Sequence, residues 1–327
     1  MVLLEDLSCS EEIVMLVFSI VAGLSMMLGA HSGAIEGSRI VNTVDMPGFT
    51  MAVEVEGDHA FVGYRGGVAI FDVRSGDEPR AVGRVALGSM VHQIVIRDGH
   101  AFVASSEGMY VIDISDLASP EVIGHIDEIG ETKGLAVDGD RVFVSCTSGD
   151  VTSFDISDPS DPKQLSKRVL EMWNPFIVVQ DNLAYVCNRN EGLVVLNVSK
   201  EKFIRRVSAT ATGHEPFSLA LDGEHALIAD KEAGLTIWNV RLPLRPQIVS
   251  TLELGSFAYG IELVDSLAYI SGNEDGVYVV DVSDMEHPTL IERVDTPENA
   301  YQIAVHGRYG YVADGKGGLR VIEFARD

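Results

Sequence analysis

The side chains with the most chemistry in this 327-residue chain recur at one kind of place, a short irregular stretch just before a β-rich run. Seven such stretches, MPGFTM, SMVHQI, GETKGL, MWNPFI, HEPFSL, SFAYGI and ENAYQI, carry Phe49, His92, Lys133, Trp173 with Asn174, His214 with Glu215, Tyr259, and Asn299 with Tyr301. His92 with Glu215, or Tyr259 with Lys133, has the composition of a general acid/base pair, should the fold bring the two together. Aromatic rings with a few polar groups are also the lining of a ligand pocket. A metal centre fits less well, because zinc needs three or four ligands and the chain has no HxxH or HExxH spacing. The expected site is therefore a ligand-binding set of His92, Lys133, Trp173, Asn174, His214, Glu215, Tyr259 and Tyr301. No metal, no cofactor and no nameable catalytic residue is expected.

Other candidate motifs carry less. GYRGG and DGKGG are rich in Gly but join two strand-like runs, whereas a phosphate loop opens onto a helix. His59, His100, His225 and His306 stand at corresponding turn positions, which makes them part of a repeat and not a metal cluster. Further polar residues, among them Tyr64, Arg65, Asn188, Arg189, Asp230, Lys231, Asn273, Asp275, Asp314 and Lys316, lie in turns within the units and are expected at larger radius.

What positions these residues is a repeat. The segments GVAIFDV, GMYVIDI, DVTSFDI, GLVVLNV, GLTIWNV, GVYVVDV and GLRVIEF place Asp72, Asp113, Asp155, Asn197, Asn239, Asp281 and Glu323 at successive intervals of 41 and then, five times, 42 residues. One unit, beginning at Tyr259, reads as four short β-rich runs, GIELV, LAYIS, VYVVDV and TLIERV, divided by turn residues. Seven such units predict a seven-bladed, all-β propeller of four-stranded antiparallel blades. The last unit, ending YVADGKGGLRVIEFARD, lacks its fourth run, while RIVNTVDM at residues 39 to 46 has a fourth-strand pattern and no unit of its own. It is expected to complete the last blade and close the ring. All seven irregular stretches then converge on one face, at the mouth of the central channel.

The repeat core, seen as GMYVIDISDLASP, DVTSFDISDPSDP and GVYVVDVSDMEHP, resembles the LVIVD repeat of bacterial and archaeal β-propeller proteins. The resemblance covers residues 39 to 324 and implies the fold; its motif residues are structural and imply no reaction. Units four and five depart from it, with NVSKEKF and NVRLPLRP in place of the SDP turn.

Composition narrows the partners. A formal net charge of −25, from 49 acidic against 24 basic residues, leaves no basic face for a phosphate backbone, so nucleic acid is excluded. Cys9, Cys146 and Cys187 do not make a disulfide framework. Residues 13 to 30, IVMLVFSIVAGLSMMLGA, run without a charge and predict an apolar helix that is a signal peptide or membrane anchor, within an N-terminal segment 1–34 ahead of a propeller at 39–327. The acidic flank before it, Glu5, Asp6, Glu11 and Glu12, is not that of an ordinary export signal. The expectation is an exported or membrane-anchored binding or scaffold protein of the cell envelope or exterior, with an unknown protein or small-molecule ligand. The alternative is a hydrolase, lyase or isomerase using the same channel mouth.

Overall fold

The computed structural model describes residues 37 to 325 apart from Met172; the apolar segment, its expected helix and Cys9 lie outside them. Twenty-eight strands, numbered β1 to β28 in chain order, form seven four-stranded sheets. Six sheets each use four consecutive strands, and the seventh has the order β1-β28-β27-β26. Its members are β1 (Arg39–Val44), β28 (Leu319–Glu323), β27 (Tyr309–Ala313) and β26 (Gln302–His306). All pairings are antiparallel, and connections of two to seven residues join the consecutive strands of each blade. Among the described residues, no helix is long and apolar enough to cross a membrane.

The first strands of the blades are β2 (Thr50–Glu56), β6 (Val91–Arg97), β10 (Thr132–Asp138), β14 (Phe176–Gln180), β18 (Ser218–Asp222), β22 (Gly260–Val264) and β26. Each touches the first strand of the next blade, and β26 touches β2. The second and third strands of every blade are apolar and buried on nearly every residue, because neighbouring blades cover both faces. Seven apolar clusters fill the spaces between blades, so the core is a ring of interfaces. Trp238 lies in one of them, 4% exposed, with its indole N–H on Thr236.

The repeated acid or amide is a turn device. In six blades a side-chain oxygen of Asp72, Asp113, Asp155, Asn197, Asn239 or Asp281 accepts the backbone N–H two residues on. The next residue of each third strand also donates its N–H to the first turn of its own blade, from Val73 to Asp58 through to Phe324 to Arg308. These turns share one face, the turn face. The second-to-third turns lie on the other, where Gly315, Lys231 and Asn273 bridge to Thr50, Ala258 and Ala300 of the following blade.

Strand β1 carries the mark of a fourth strand. Every fourth strand has a register shift at the same position, and β1 has its own between Ile40 and Asn42. In blades four, five and seven the residue after the shift latches the next blade's turn: Ser208 Oγ donates to Pro243 O at 2.6 Å, Ser250 Oγ to Met285 O at 2.7 Å, and Asn42 Nδ2 to Asp77 O at 2.7 Å. Glu292 occupies this position in blade six, where the next blade has no such turn. Its carboxylate accepts both the N–H and the hydroxyl of Ser38, and Ala325 donates its N–H to Ser38 Oγ at 2.8 Å.

Candidate functional site at the channel mouth

A single repeat position, at or just before the start of each first strand, supplies Met51, His92, Lys133, Pro175, Phe217, Tyr259 and Tyr301. All seven line one pocket of about 60 Å³, together with Trp173, Phe176, Ser218, Gly260 and Gln302. That volume holds a few water molecules and is well below the several hundred Å³ of a drug-sized site. The pocket therefore takes the tip of a group and not a whole large ligand.

Its wall is an arc of aromatic rings. Phe49 meets Tyr301 at 5.3 Å between centroids, Tyr301 meets Tyr259 edge-on at 5.1 Å, Tyr259 meets Phe217 at 4.4 Å, and Phe217 meets Trp173 edge-on at 5.6 Å. Each contact spans two blades, and such tilted and T-shaped pairs place ring edges against ring faces. Beyond the arc, the Arg189 guanidinium lies 4.9 Å over the Trp173 ring. Trp173 itself has a φ of 72°, an uncommon conformation for a bulky residue, held by backbone hydrogen bonds to Thr147 and from Arg189. Burial pushes the Tyr259 and Tyr301 hydroxyls up, so both remain protonated donors at neutral pH.

Blades two and three supply the polar side. Lys133 Nζ stands 2.8 Å from Glu131 Oε1 and 3.2 Å from His92 Nε2, and His92 Nε2 is also 3.2 Å from Glu131 Oε1. Burial, and then the Lys133 ammonium, pull His92 down to about 4, so its imidazole is neutral at physiological pH. Its side chain is 7% exposed and Nδ1 has no partner. Glu131 is held below its usual value, its burial outweighed by Lys133 and His92. The pocket thus combines one ammonium, one neutral imidazole and aromatic walls. Gln93 and Gln302, each one residue past the lining position, accept the N–H groups of Leu135 and Val53 from the next blade, which ties blade two to blade three and blade seven to blade one.

The structure brings together His92, Lys133, Trp173, Tyr259 and Tyr301 from the sequence-derived set, and not the other three. Asn174 is fully buried, its Oδ1 accepting from Asn188 Nδ2 at 2.6 Å. Glu215 is taken up by Arg189 at 2.7 Å and Lys231 at 2.7 Å, and the Lys231 hydrogen bond leads in holding it ionised. His214 is outside the pocket lining, 3.9 Å from Glu232. The acid/base pair of His92 with Glu215 does not form, whereas Tyr259 and Lys133 share the pocket. Among the described residues, no group of three or more His, Cys, Asp or Glu is placed to hold a metal. Phe217, Met51 and Pro175 were not singled out by residue type; subtracting one 42-residue repeat from Tyr259 gives Phe217, and a second gives Pro175.

The family model of the LVIVD repeat matches residues 47–84, 88–128, 129–169, 176–201, 258–296 and 297–323. The chain belongs to the LVIVD-repeat family. The LVIVD match stops at 201 and resumes at 258, so it passes over the fourth strand of blade four and all of blade five. No curated protein matches the chain by sequence. Solved structures are similar in fold alone, at 10% identity. The Neurospora crassa Pan2 WD40 domain superposes with a TM-score of 0.68, over 91% of this chain and 98% of that one. A chain of the mitotic checkpoint complex gives 0.70 over 87% and 91%. The computationally designed Ika8 protein gives 0.65 over 87% and 99%.

Proposed function

We propose that this LVIVD-repeat protein is a non-enzymatic binding propeller of the cell envelope or exterior, which receives a small protruding group of a ligand or partner at its channel mouth. One observation carries the reading: a single repeat position from all seven blades converges on one pocket, with rings on one side and Lys133 and His92 on the other. Repetition elsewhere in the ring conserves residue type, but here it yields Met, His, Lys, Pro, Phe and Tyr, and such divergence on a rigid scaffold is where binding chemistry concentrates. An acidic or hydrogen-bonding tip would face Lys133 while its stem packs on Tyr259, Phe217 and Trp173.

In this reading residues 13 to 30 export the chain or anchor it, and β1 closes the ring by completing blade seven. Support for the closure is the shared register shift of β1 and the Glu292–Ser38–Ala325 clasp. The pocket is tested by a thermal-shift screen of small carboxylates, amides, amines and metal salts against the full chain and its Tyr259→Ala/Tyr301→Ala variant. A compound at about 100 times its Kd raises native stability by about 2.7 kcal/mol. The expected result is a shift in the full chain that the double variant loses while keeping its own cooperative melt. A shift of equal size in both would remove the site from the channel mouth.

A further inference from the structure

The two turns that break the repeat point to a second surface. Where blades one, two, three and six carry acidic turns, NVSKEKF ends in Lys200, Lys202 and Phe203, and NVRLPLRP offers Arg241, Leu242, Leu244 and Arg245. These turns lie at the ends of β16 (Gly192–Lys200), which pairs with β17 (Phe203–Thr210), and just before β21 (Gln247–Leu252). Phe203 is 59%, Leu242 68%, Leu244 77% and Ile248 53% exposed. In β25 (Thr289–Val294), the outer strand of blade six, Leu290 and Ile291 are also exposed. Large apolar groups so exposed on one stretch of rim mark an interaction surface.

Three features select the partner. Basic and apolar side chains alternate at the turn tip, the composition with which peripheral proteins enter an anionic bilayer interface. In a chain of net charge −25 these cations stand out: exposed Arg241 is paired at the surface with Glu224 at 3.5 Å, and exposed Arg245 has no ion pair among the described residues. The tip is also held out rigidly: Ser208 Oγ latches Pro243 O at 2.6 Å and Arg245 N–H donates to Leu242 O at 2.8 Å. Finally, the chain enters the propeller on this same turn face, at Ser38 beside Glu292 of β25, only eight residues after the apolar run of 13 to 30 ends.

We infer that the turn-face rim of blades four to six is a membrane-docking surface for an anionic lipid bilayer, with Leu242 and Leu244 entering the interface and Arg241, Arg245, Lys200 and Lys202 meeting the headgroups. The channel mouth would then face away from the bilayer, open to a partner. The inference rests on the turn residues and stands whether or not the channel-mouth pocket binds a ligand.

The test places an environment-sensitive fluorophore on Leu244→Cys, and separately on Glu232→Cys in the second-to-third turn of blade five on the opposite face, in the full chain carrying Cys9→Ser. The remaining thiols do not compete: both are buried, and burial pushes Cys146 up to about 12 and Cys187 well above its usual value. With phosphatidylcholine vesicles containing a third phosphatidylglycerol, the Leu244 label is expected to shift to the blue and the Glu232 label to stay unchanged. In cosedimentation, Arg241→Gln/Arg245→Gln should remove the preference for the anionic vesicles by about tenfold. No shift at position 244, or equal shifts at both positions, would overturn the inference. A concentration-dependent shift without vesicles would overturn it as well, assigning the surface to a second copy of the chain.

Discussion

Deleting residues 1 to 46 is expected to abolish the cooperative thermal transition of the propeller, whereas deleting 1 to 34 leaves it intact. The longer deletion removes β1, which pairs with β28 from Arg39–Glu323 to Val44–Leu319. It also strips the cover from two inter-blade cores, since Ile40 packs against the cluster of Tyr269, Val279 and Phe324, and Val41, Val44 and Met46 against that of Tyr311, Leu319 and Val321. Four partly buried apolar side chains and one ladder of hydrogen bonds together contribute about 5 kcal/mol. A domain's whole stability is of the order of 5–15 kcal/mol, so the loss approaches the total. The edge of β28 would also be left open to pair with other chains, so the product should associate. A monomeric 47–327 fragment melting at the temperature of the full chain would show that β1 is not the closure.

The second large effect is a pH-dependent gain. Glu54 and Glu262 occupy the same repeat position on the first strands of blades one and six, where the other five blades place Val95, Ala136, Val178, Ala220 and Ala304. Burial, then the charges of Glu262 and Glu56, push Glu54 up to about 8; burial pushes Glu262 up to about 7, from an ordinary 4.5. The folded chain therefore holds these protons more tightly than the unfolded chain. Stability is fully present below pH 4.5 and is lost as pH rises through 7 to 8. Glu54→Gln should thus leave stability unchanged near pH 4 and raise it at pH 8.5, by on the order of 2 kcal/mol because the site is only partly buried. Urea midpoints at the two pH values check this, and equal gains at both would contradict the assignment.

Much of this fold was legible because a propeller writes its geometry as a period. The spacing from Asp72 to Glu323 counts the blades, and the same acid or amide serves the same turn in six of them. The site was legible only in part, because residue type is a weaker guide than repeat position. His214 and Glu215 look chemical, yet Glu215 is consumed by Arg189 and Lys231, while Phe217, two residues on, reaches the pocket. Asn174 falls one residue before the lining position, and the chain turns it inward to Asn188. Glu54 and Glu262 escaped notice within apolar strands, since their cost arises from burial that single-strand patterns do not reveal. The pairing of His92 with Lys133 depends on two adjacent blades and has no signature within either.

Pocket occupancy can be read at Trp173, which lines the channel mouth, once the buried Trp238 is replaced by Phe. The most direct measurement is a fluorescence titration of the full chain carrying Trp238→Phe with the strongest compound from the thermal screen, repeated with Lys133→Ala. The account predicts a saturable change in Trp173 emission, with an affinity about tenfold weaker in the Lys133 variant, or about 1.4 kcal/mol. A compound that stabilises the chain but leaves Trp173 emission unchanged, and binds the Lys133 variant equally well, would contradict it.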